Sequence, residues 1–173
     1  MTATGVKAEE VVQFLESRAE LKELRQAIEG LTKLQGMVGG FPQNKLARSH
    51  IATGMRIVAA HLKNAVKHGK TFDEIAKRLR SQFRQQNIQT STFHSIEGNV
   101  LTFAENAEKD LKGLTEYAQT ELNFVTTHDD NYFMQHEQLF FQSINILLTR
   151  IRYLIEGLAK VLMYEQGLYR QTK

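Results

Sequence analysis

The sequence contains no cysteine and no tryptophan, and its single proline is Pro42. Without cysteine there is no disulfide, no thiolate metal site, no cysteine nucleophile and no attachment point for a bilin or a c-type haem. That absence fits a reducing compartment, and a cytoplasmic protein is expected. With one proline in 173 residues, long stretches can run as uninterrupted helix. Clusters of β-branched residues are missing too, which leaves little material for a sheet sandwich. The most apolar stretch, Leu139 to Tyr164, carries Arg150, Arg152, Glu156 and Lys160, each of which would strongly disfavour a lipid-spanning helix. The opening residues turn polar by Glu9 and Glu10, without the apolar stretch of a secretory signal.

What remains is an ordinary globular composition, 42% apolar and 24% charged, enough for one sizeable core. A single domain over residues 1–173 is expected. Phe14, Leu21 and Ile28 form one seven-residue lane and Leu24, Leu31 and Val38 its neighbour, predicting a helix over 7–38. Gly39, Gly40 and Pro42 punctuate its end. Ile51, Met55, Val58, Leu62 and Ala65 predict a second helix over 44–68, with Gly69 as its cap. Thr71 and Glu74 have the spacing of a capping box that opens a short third helix, with Phe72, Ile75, Leu79 and Phe83 buried.

Polar residues 85–92 form the best internal break. A fourth helix over 91–125 follows, with lanes through Phe93, Val100, Ala107 and Leu114 and through Ala104, Leu111, Ala118 and Val125. After a polar connection at 126–131, the last helix spans 131–168. Three lanes fill it: Phe140, Leu147, Leu154 and Val161; Ile144, Ile151 and Leu158; Phe141, Leu148, Ile155 and Leu162. Tyr153, Met163 and Tyr164 are assigned to the core or its edge. The expected fold is all-α, an elongated up-and-down bundle of about five helices with a long C-terminal antiparallel hairpin over 91–168. Three lanes exceed what one partner helix can cover, so self-association is expected.

Charge is unevenly placed. Residues 45–84 carry Lys45, Arg48, Arg56, Lys63, Lys67, Lys70, Lys77, Arg78, Arg80 and Arg84 against only Asp73 and Glu74, a net +8. Residues 1–44 sum to −1 and residues 85–173 to −4. Six of the ten fall near one stripe of the second helix, and Lys77, Arg80 and Arg84 share a face of the third. Such a surface attracts phosphate or an acidic partner. It equally suits a solvated amphipathic helix neutralised by the acidic C-terminal helices.

Residues 71–96 resemble a helix-turn-helix. Phe72 to Leu79 look like the positioning helix and Thr90 to Ile96 the start of a recognition helix, though the turn lacks glycine and the connection is longer than the pattern. The resemblance implies Thr90, Ser91, Thr92 and His94 at base edges, with Arg80 and Arg84 on phosphates. Arg56 and His61 form an Arg-x-x-x-x-His spacing similar to the signature of the HEPN helical ribonucleases. There the pair implies an RNA-cleaving site at a dimer interface, with a polar residue after the arginine; this chain has Ile57. Residues five apart on a straight helix also diverge by about 140°. His94, His128 and His136 with nearby carboxylates lack the Glu-x-x-His pairs of a di-iron bundle, and no metal or cofactor is expected. The sequence thus points first to a non-enzymatic assembly or adaptor protein that binds other proteins or itself. A nucleic-acid-binding protein using residues 45–84 is the alternative.

Overall fold

A computed structural model describes residues 7–36, 45–90 and 95–168, with side chains described from Arg48 in the second stretch. Among the described residues there are six α-helices: α1 (Ala8–Ser17), α2 (Ala19–Gln35), α3 (Lys45–Val66), α4 (Gly69–Gln85), α5 (Ile96–Thr127) and α6 (Asp130–Glu165). The fold is an all-α bundle. Gly39, Gly40, Pro42 and Val38 lie outside the described residues, as do Ser91, Thr92, Phe93 and His94.

Four helices close a ring in which α2 packs on α3, α3 on α5, α5 on α6 and α6 back on α2. Leu34 lies against Gly54 and Val58 against Gly30, so α2 and α3 run antiparallel. Tyr117 bonds the Ser143 carbonyl at 3.1 Å and Tyr164 reaches Glu97 at 3.3 Å, which makes α5 and α6 the expected antiparallel hairpin. At 1.5 Å per residue the 36-residue α6 is about 54 Å long. Asp129 caps it by accepting from the Tyr132 amide at 2.8 Å, and Ser95 caps α5 by accepting from Gly98 at 3.0 Å.

The lanes on α5 and α6 are buried as expected, with Ile155 half-buried. Leu24, Leu31, Ile51, Met55, Leu62, Leu111, Ile144 and Ile151 meet in the common interior, and each full burial of such a side chain stabilises by about 1.5–3 kcal/mol. Helix α4 follows α3 after a two-residue turn and, like it, packs on α5. Its Phe83 meets Tyr164 of α6 edge to face at 5.6 Å.

Three boundaries differ from expectation. The first predicted helix is two helices, because Arg18 is extended (ψ 117°). Its guanidinium bonds Glu20 at 2.5 and 3.1 Å and lies over the Phe14 ring, while Arg25 reaches back to the Leu15 carbonyl at 3.0 Å. The Leu15 carbonyl, which a continuous helix would pair with the Ala19 amide, thus accepts from Arg25 and from the Arg18 amide at 3.2 Å. The capping box at Thr71 does not form: α4 begins three residues earlier than such a cap would set it, and its N-cap, His68, makes no side-chain cap. Gly69 is therefore the first residue of α4 rather than a cap on α3. A Cβ there would lie 3.1 Å from Glu108 Cα, so its role is to let the α4 start approach the α5 backbone. Lastly, α5 begins at Ile96 rather than 91.

Candidate interaction surfaces

The basic segment divides into compensated and uncompensated charge. Arg48 pairs with Asp130 at 2.6 Å, Arg78 with Glu165 at 2.6 Å, and Arg80 with Glu105. All three carboxylates belong to the α5–α6 hairpin. Lys77 pairs with Asp73 one turn away at 3.2 Å. Arg56, Lys63, Lys67, Lys70 and Arg84 are exposed and make no ion pair among the described residues. Lys45 opens α3, but its side chain is outside the described ones. Part of the net +8 is thus neutralised within the chain, by exposed pairs worth about 1 kcal/mol or less each.

The Arg56 and His61 side chains line separate grooves. Arg56 borders the one with Arg48, Asp129 and Asp130 at the hairpin turn, and His61 the one with Gln26, Glu29 and Lys33 between α2 and α3. His61 Nδ1 is also 2.6 Å from Glu23. Within one chain they form no common site. Where the helix-turn-helix resemblance would put a recognition helix, the first turn of α5 is packed against α6, its Glu97 accepting from the Tyr164 hydroxyl. Burial, and then the Glu97 carboxylate, push the Tyr164 phenol above its ordinary range. Among the described residues no three His, Asp or Glu side chains converge as a metal set. No helix among the described residues is long and apolar enough to cross a membrane.

The sequence reading missed a fourth lane on α6. Tyr132, Leu139, Ile146 and Tyr153 recur every seven residues and are 39%, 59%, 48% and 65% exposed. At 100° per residue this lane points about 150° from the centre of the buried face, so α6 is apolar on two nearly opposite sides. Its solvent-facing neighbours between Glu137 and Arg150 are uncharged: Gln138, Gln142, Asn145 and Thr149. Tyr153, assigned from sequence to the core or its edge, stands on the surface against Phe103 at 5.4 Å between ring centroids. The signal that could have found the lane is the same spacing of seven that marked the other three.

At each end the lane meets a built feature. His128, Tyr132 and His136 stack in a column, ring centroids 4.0 and 4.1 Å apart, beside Phe124. At the other end a groove of about 590 Å³ opens between α5 and α6, lined by Phe103, Asp110, Gly113, Leu114, Arg150 and Tyr153 among others. Arg150 lies over the Tyr117 ring at 5.3 Å. Partial burial raises the Asp110 carboxyl above its ordinary range, with Lys109 opposing. Gly113 sits mid-helix on the groove wall, and a Cβ there would meet nothing within 4 Å. A helix-interior glycine costs about 1 kcal/mol relative to alanine, and no contact among the described residues requires it. Compared with known proteins, the chain matches no family model, no curated protein and no solved structure.

Proposed function

We propose that this chain is a non-enzymatic helical assembly protein that acts through protein–protein contacts and self-associates. The observation that carries this reading is the exposed lane Tyr132, Leu139, Ile146 and Tyr153 on α6. The other three lanes of α6 are covered inside the chain by α1, α2 and α5, which leaves the fourth to make the contact. Solvent-facing apolar side chains in register along a rigid helix are what a helix-in-groove or helix-pairing contact uses. A cytoplasmic setting belongs to the same proposal and rests on the absence of cysteine. Light scattering coupled to size-exclusion chromatography over a concentration series tests it. A mass that rises with concentration is expected; a strict monomer throughout would overturn the reading.

The uncompensated Arg56, Lys63, Lys67, Lys70 and Arg84 support a second reading, nucleic-acid binding on the α3–α4 surface. Five phosphate contacts correspond to a slope of about −4.5 in log K against log salt. Binding of a labelled oligonucleotide across a salt series, repeated with Lys63, Lys67 and Arg84 changed to glutamate, is the test. No binding at low salt removes this reading, and undiminished binding by the variant removes the surface.

A further inference from the structure

From the outward face of α6 we infer that the occupant is the same face of a second copy, laid antiparallel about a two-fold axis near Gln142. This rests on the assembly reading above and specifies its partner and orientation. The strip from Tyr132 to Tyr153 is about 33 Å long, and its midpoint falls beside Gln142. Charge selects the direction. Arg150 and Arg152 stand at one end of the strip, with Glu156 one turn beyond, while Asp129 and Glu137 stand at the other beside Asp130, which Arg48 already neutralises; the ends therefore keep opposite net sign, with no charge on the solvent-facing positions between. Antiparallel pairing sets the arginines of each copy against the partner's acidic end. Parallel pairing would bring like charges together at both ends, which costs affinity and specificity.

The area agrees with a dimer of modest strength. From their exposed fractions, the four lane residues present on the order of 400 Å² per copy. With the flanking glutamines, Asn145 and Thr149 on both copies, the contact reaches on the order of 1,200 Å², the lower edge of stable specific interfaces. A closed two-fold pairing also covers the strip on both chains at once and leaves no edge for further growth. In this arrangement the partner's Tyr132 comes beside Tyr153, at the mouth of the groove whose wall Gly113 leaves open.

Because the chain has no cysteine, single cysteines report on the pairing without background. Gln142→Cys lies within about one turn of its symmetry mate along the helix axis, whereas Gln135→Cys lies about 20 Å from its own; disulfides need Cα atoms within about 7 Å. Mild oxidation of each full-length variant, read on a non-reducing gel, is expected to give covalent dimer from Gln142→Cys and monomer from Gln135→Cys. Leu139→Glu with Ile146→Glu is expected to raise the dimer dissociation constant roughly 30-fold or more. Both positions are exposed, so helicity and the melting point of the monomer should hold. Dimer from Gln135→Cys would mean a parallel contact and overturn the inference. An oligomer indifferent to both glutamates, with Gln142→Cys uncrosslinked, would also overturn it while leaving self-assembly to another surface. A monomer at every concentration would overturn both.

Discussion

Gly157 gives the sharpest test of the packing. It faces the α5–α6 interface, where a Cβ would overlap the Phe103 ring. Gly157→Ala therefore sets two effects against each other. Alanine in a helix interior is favoured over glycine by about 0.8–1 kcal/mol. Displacing the ring, which is half-buried and also packs on Tyr153, forfeits about 2 kcal/mol, roughly half the cost of removing a fully buried phenylalanine. The net expectation is destabilisation of about 1 kcal/mol, a melting point lower by about 2–4 °C for a chain of this size. Gly113→Ala has the same propensity term and no clash, so it should stabilise by about 1 kcal/mol. Urea denaturation followed by far-UV circular dichroism, at a concentration where the chain is monomeric, measures both. In a Phe103→Ala background Gly157→Ala should change sign and stabilise. If Gly157→Ala stabilises the parent as much as Gly113→Ala does, the close approach argued here is wrong.

Other expectations follow from single contacts. Burial would raise the Glu20 carboxyl, but hydrogen bonds from Arg18, the bond from its own backbone amide and the charges of Arg18 and His68 together outweigh it and hold the group below the usual glutamate range. Its contribution is therefore present above that range and lost as the pH falls through the lower folded-state value, so the stability penalty of Glu20→Gln should shrink in acid. A penalty independent of pH would remove the argument. Arg25→Ala removes the side-chain donor to the Leu15 carbonyl at the end of α1 and leaves it only the Arg18 amide at 3.2 Å; a loss of about 1 kcal/mol should appear as faster amide exchange in α1 with α5 and α6 unchanged. Gly69→Ala should cost about 1–3 kcal/mol by forcing α4 away from the Glu108 backbone, with denaturant midpoints as the measure.

The all-α class and the lanes of α5 and α6 were legible because long periodic segments state which face is buried. What periodicity could not do was rank four overlapping lanes on one helix. Leu139 and Ile146 have the same spacing as Phe140 and Leu147, and only the positions of α2 and α5 decide which are covered. The break at Arg18 left no glycine or proline as a mark. Arg25 reaches back from the next helix to the Leu15 carbonyl, beside the Arg18 amide, a contact between positions ten apart that no local pattern shows. Thr71 and Glu74 matched a local capping motif, yet the approach of Gly69 to α5 starts the helix earlier. Charge counting found the basic segment but not its partners, since Arg48 and Arg78 meet carboxylates 82 and 87 residues away.

The turn between α5 and α6, only His128 and Asp129, bears on how the chain finds this structure. Tyr117 and Ser143, which meet across the hairpin, are 26 residues apart, whereas Gln35 and Asn145 are separated by 110. The shorter loop closes at the smaller entropic cost, and each end of the turn already holds an ordered rod. The hairpin should form the nucleus on which α2 and α3 condense. Stopped-flow refolding would then slow for Ala118→Gly in α5, while Ala27→Gly in α2 would chiefly hasten unfolding.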